Sequence, residues 1–109
     1  MIHQLSIARK FSEFPAGRNK GDGPYSGELF RENYLIPLLK DPNIIIEVDL
    51  DGTLGYGSSF LEEAFGGLVR KHRMAFDDLK GRLKIHDTRQ IYEPLVWKYI
   101  KEATSNASW

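Results

Sequence analysis

The chain has 109 residues, with 15 basic and 15 acidic side chains, three His and no Cys. That length holds one compact domain and leaves no room for a separate catalytic one. A net charge of zero argues against a phosphate-backbone binder, so no nucleic-acid partner is expected, and the lack of Cys excludes disulfides and thiolate metal sites. No apolar run approaches the ~20 residues needed to span a bilayer, and the opening Met1–Arg9 has no signal-peptide pattern. A cytoplasmic domain with no membrane partner is expected, filling 1–109 with a frayed tail over 104–109.

Taken in chain order, Ile2 to Ala8 reads as a first strand. Residues 14–27 hold two Pro, Asn, Asp and three Gly before Ser26, which makes them a loop. A loop that long in a small domain is often functional, since most connections run about 4–6 residues. Glu28 to Lys40 reads as a helix with Ser26 as N-cap; Leu29, Phe30, Tyr34, Leu35 and Leu38 form its apolar face, and Pro37 should kink or end it early. Asn43 to Leu50 is short, β-branched and almost continuously apolar, as expected for a central strand covered on both faces.

After the loop from Asp51 to Gly57, Ser59-Phe-Leu-Glu62 matches a capping box that opens a helix to about Lys71. Gly66-Gly67 inside that helix costs it roughly 1 kcal/mol per Gly, which a close approach by the sheet or by a partner's backbone would explain. Phe76 to Gly81 reads as a short helix, and Arg82 to His86 alternates as a half-buried or edge strand. A last helix runs to about Ala103 and begins properly only near Pro94. The expected fold is α/β: a single small mixed sheet of about four strands packed with helices.

Neutrality conceals a segregation of charge. Residues 41–66 carry six acids and no base, whereas residues 67–101 carry nine bases and four acids. Such blocks form solvated faces or complement each other, within the fold or between chains, which leaves a homodimer open.

Two stretches carry chemistry. Ile45-Ile-Glu-Val-Asp49-Leu-Asp51-Gly-Thr53 is similar to the first motif of haloacid-dehalogenase-like phosphohydrolases, an apolar strand ending in D-x-D-G-T. The resemblance implies an Mg²⁺-dependent phosphohydrolase with Asp49 as nucleophile and Asp51 as general acid/base. Only 56 residues follow Thr53, and Asp77-Asp78 is the one Asp pair among them. A strand end followed by an Asp51-Gly52 turn accounts for the same residues.

A wider resemblance spans Phe14 to Gly67. Phe14-Pro-Ala-Gly-Arg18, Asp22-Gly-Pro-Tyr-Ser-Gly-Glu28, Phe30-Arg-Glu32, Val48-Asp-Leu-Asp-Gly52 and Tyr56-Gly-Ser-Ser-Phe-Leu-Glu-Glu-Ala-Phe-Gly-Gly67 resemble a small bacterial STAS-like family of unknown function. That family is in turn similar to the STAS domains of anti-sigma-factor antagonists. The resemblance implies a non-enzymatic regulatory module without cofactor, which switches protein partners when a Ser is phosphorylated by a histidine-kinase-like ATPase. The position carried over is Ser58. Gly57 and Phe60 depart from the antagonists' pattern, which has Asp before the Ser pair and Gly after it. A hydroxyl just ahead of a helix N-terminus also suits a phosphate on physical grounds.

The expected partner surface comprises Arg18, Asp22, Gly55, Tyr56, Gly57, Ser58, Ser59 and Phe60. Arg18 and Asp22 have a second reading, as fasteners of the long loop. Arg18, Lys20 and Ser26 leave open a phosphate or nucleotide cradle, although no P-loop pattern surrounds them. His3, His72 and His86 have no metal-ligand spacing, so no metal site is expected. At least one of Trp97, Tyr99 and Trp109 is expected to point outward.

Overall fold

A computed structural model describes residues 1–108; Trp109 lies outside the described residues. Strand β1 (Ile2–Ser6) gives way at once to a one-turn helix α1 (Ile7–Lys10), because Ser6 accepts a bond from the Arg9 N–H and caps it. The strand therefore stops earlier than the apolar pattern suggested.

Helix α2 (residues 27–39) is three consecutive segments, Gly27–Phe30, Arg31–Leu35 and Ile36–Leu39. Ser26 caps it as expected, accepting from the Leu29 N–H at 3.3 Å. Pro37 does not end it. The middle segment is a widened π turn, with the Ile36 N–H reaching back to the Arg31 carbonyl. A widened turn just before Pro37 relieves the crowding its ring imposes on the preceding turn.

Strand β2 (Ile45–Asp49) follows, then α3 (residues 58–70), likewise α, π and α in succession: Ser58–Leu61, Glu62–Gly66 and Gly67–Arg70. The chain closes with α4 (Phe76–Arg82), β3 (Leu83–His86) and α5 (Glu93–Asn106). Pro94 sits in the first turn of α5, where it costs no hydrogen bond. The helix continues to Asn106, into the segment expected to fray.

The α/β class and the small helix-packed sheet are as expected. The sheet differs in detail: among the described residues it has three strands, not about four, and it is parallel throughout, not mixed. Each strand is followed by helices that carry the chain back to the same sheet edge, and such crossovers produce parallel pairing. The order is β1-β2-β3. Right-handed crossovers stepping in one direction put both helical layers on one face.

Burial in β2 alternates accordingly. Ile46 and Val48 are fully buried, while Ile45, Glu47 and Asp49 are only partly so. The central strand is thus covered on one face, not two. The register aligns Gln4, Glu47 and Lys84 in one row and Ser6, Asp49 and His86 in the next.

The core lies between the sheet and the helices. Phe30, Phe60 and Phe65 are fully buried there, each worth about 1.5–3 kcal/mol by apolar burial. Gly27 lets α2 and α3 meet, since a Cβ there would lie 2.4 Å from the Phe60 carbonyl oxygen.

Candidate functional site

The loops that follow β1, β2 and β3 gather at the carboxyl edge of the sheet, where ligands and partners of parallel sheets usually bind. The loop after β2 is shaped by Gly52 and Gly55, with φ of 93° and 132°. The Thr53 hydroxyl accepts from the Gly55 N–H, and the Tyr56 hydroxyl donates to the Leu50 carbonyl at 2.8 Å. Burial pushes the Tyr56 phenol far above its ordinary range, so it remains a donor. The Leu54 N–H donates to the Glu13 carbonyl at 3.1 Å, which brings the loops together. Leu54 and the neighbouring Phe14 are 82% and 62% exposed, two large apolar side chains held on the surface.

Helix α3 starts at Ser58 with Gly57 as N-cap, two residues earlier than the capping box implied. The box does not form, because with Gly57 as N-cap the N3 position falls on Phe60, and Glu62 is engaged elsewhere. Its carboxylate takes the Arg18 guanidinium at 2.5 Å and also pairs with Arg70. Ser58 and Ser59 are exposed at the helix start. Phe60, expected on the partner surface, is fully buried, its ring tilted against those of Phe30 and Tyr56 with centroids 6.1 and 5.7 Å away. One residue past the Ser pair, the helix has rotated it into the core.

Arg18 and Asp22 act as fasteners. Asp22 accepts from the Arg18 and Asn19 N–H groups and folds the loop on itself. Arg18 then ties that loop to α3 through Glu62 and Glu63. The loop at residues 14–27 and the first turns of α3 therefore form one continuous surface.

Beneath it lies a feature the sequence did not announce. Arg31, 2% exposed, donates to the Glu63 carbonyl at 2.6 Å and to the Glu63 and Glu32 carboxylates at 2.7 Å each. Burial raises the Glu63 carboxyl pKa, but the bonds from Arg31 and Arg18 outweigh it and hold the group below its usual range. Gly67 makes the room, since a Cβ there would fall 2.0 Å from Arg31 Nη1. The close approach at Gly67 is this guanidinium, and at Gly66 it is the Glu62 carboxylate, 2.6 Å from where a Cβ would lie; the sheet supplies neither. Part of the acidic block is thus neutralised inside the fold.

Asp49 and Asp51 end β2 as a strand end and turn do, with the Asp51 N–H donating to Asp49 Oδ1 at 2.9 Å. Thr88 donates to Asp51 through its N–H and its hydroxyl, at 3.0 and 2.5 Å. The Thr88 hydroxyl and N–H hold the Asp51 carboxyl below its ordinary pKa. His86 Nε2 is 3.2 Å from Asp51 Oδ2. No spacing linked His86 to these Asp residues; parallel pairing of Asp49 with His86 brings them together. Trp97, a candidate anchor, is half-buried against Phe76 and under Lys80.

No curated protein and no solved structure matches the chain. A family model described as a STAS-like domain of unknown function matches residues 26–92, which takes in α2, β2, α3, α4 and β3. That match covers well over half of the chain, which therefore belongs to the family of STAS-like domains of unknown function.

Proposed function

We propose that this chain is a partner-switching protein, docking through the carboxyl-edge loops and controlled by phosphorylation of Ser58. The observation that carries the reading is the placement of Ser58, exposed at the first residue of α3 beside a loop that displays Leu54. The N–H groups of the first helical turn and the helix dipole favour a phosphate there. A phosphate would add about −1.5 to −2 charges to that surface, enough to alter which partner it accepts. The proposed partner and kinase is a protein of the histidine-kinase-like ATPase type, as in the antagonists that STAS-like domains resemble. Burial of Phe60 favours the reading, because the large side chain at that position does not obstruct the surface.

The test is incubation with ATP and the histidine-kinase-like ATPases of the same host, with phosphopeptide mapping and binding measured by titration. Phosphate is expected on Ser58, none in Ser58→Ala, and Leu54→Asp should weaken binding while leaving thermal stability within about 0.5 kcal/mol of the parent. Absence of both binding and phosphate transfer with every such ATPase overturns the proposal.

A further inference from the structure

We propose that Asp49, Asp51 and His86 form a binding site for a divalent transition-metal ion of the Zn²⁺ or Mn²⁺ kind. Each supplies one donor atom, and the three atoms lie within 4.8 Å of one another. The donor set is mixed, two carboxylates and one imidazole, which suits these ions better than the all-oxygen shells preferred by Mg²⁺ and Ca²⁺. A tetrahedral ion with bonds of about 2.1 Å spaces its ligand atoms roughly 3.4 Å apart. His86 Nε2 and Asp51 Oδ2, at 3.2 Å, already meet that spacing.

The backbone explains how the set assembles. Register pairing places Asp49 and His86 side by side on adjacent parallel strands. The Asp51 N–H binds Asp49 Oδ1 and leaves Oδ2 without a hydrogen-bond partner among the described residues. Thr88 orients the Asp51 carboxylate through two bonds, the kind of outer support that metal-ligating carboxylates carry. Asp49 and His86 also line a cleft of about 420 Å³ with Ser6, Arg9, Lys10 and Glu47. Two of the three ligands, Asp49 and His86, open on this cleft, which leaves coordination positions for water or an anion. Arg9 and Lys10 give that cleft a cationic side, which suits an anionic co-ligand.

The competing arrangement is an Asp51–His86 ion pair that takes no metal. The full chain, stripped with chelator, is titrated with Zn²⁺, Mn²⁺ and Mg²⁺ by calorimetry and thermal unfolding. Zn²⁺ or Mn²⁺ should raise the thermal midpoint on the order of 10 °C at a hundredfold excess over Kd, with Mg²⁺ much weaker. Asp49→Asn and His86→Ala should each cut affinity at least about tenfold, since a direct ligand matters no less than its outer support. Mn²⁺ should broaden the His86 ring resonances of the unmutated chain, a readout independent of how the variants fold. No Zn²⁺ or Mn²⁺ binding at millimolar concentration overturns the site. Binding that survives both substitutions, or broadening confined to His3 or His72, also overturns it.

Discussion

Replacing Gly67 by Ala tests the buried Arg31 centre more sharply than removing a charge would. The added methyl would sit 2.0 Å from Arg31 Nη1, 2.9 Å from Cζ and 3.2 Å from Cδ. A surface arginine would swing away, but this one is pinned on both sides by Glu63 and Glu32. Making room therefore means breaking the Arg31–Glu63 pair, and stranding a buried charge costs about 3–5 kcal/mol. Ala is the better helix former by about 1 kcal/mol, which leaves a net loss of roughly 2–4 kcal/mol. For a domain of this size that lowers Tm by about 10–20 °C. Gly81→Ala is the matched control, because its Cβ meets nothing within 4 Å in α4. It should leave stability unchanged or raise it by up to about 1 kcal/mol. Both are read by thermal and urea unfolding followed by far-UV circular dichroism. If Gly67→Ala unfolds within a few degrees of Gly81→Ala, Arg31 is not held as described.

Two further outcomes follow from the same ion-pair network. Burial raises the carboxyl pKa of Glu32, Glu62 and Glu63, yet bonds from His72 and Arg31, from Arg70 and Arg18, and from Arg31 and Arg18 leave all three below the ordinary range. Below about pH 5 the folded chain then binds fewer protons than the unfolded one, so stability is lost as pH falls through the carboxylate range. Urea midpoints should decline from about pH 6 to about pH 3, and the deficit of Glu63→Gln should shrink over that window; parallel profiles for the two proteins would contradict the assignment. Arg18→Ala removes the tie between the 14–27 loop and α3. Because Arg18 is partly solvated, the global loss should stay near or below about 1 kcal/mol. Limited proteolysis should nevertheless cut within 14–27 much faster, and an unchanged rate would show that other contacts hold the loop.

The sequence alone determined much of this protein, wherever the cause was local. Ser26 capping, the β-branched run into Asp49, the helix beginning near Pro94 and the reading of Asp51-Gly52 as a turn depend on neighbouring residues. The ordered motif blocks pointed to a STAS-like domain before any fold was visible. Only the tertiary structure decided the rest, because it depended on residues far apart in the chain. The sheet became parallel and one-sided because both crossovers return to the same face. Phe60 left the expected surface because a helix starting at Ser58 turns it toward Phe30. Arg31 and Glu63 read as ordinary helical charges until Gly27 and Gly67 let two helices close over them. His86 stood apart from the Asp pair until the register of β2 and β3 set it beside Asp49. Local pattern records what each residue prefers, whereas packing decides which distant residue it meets.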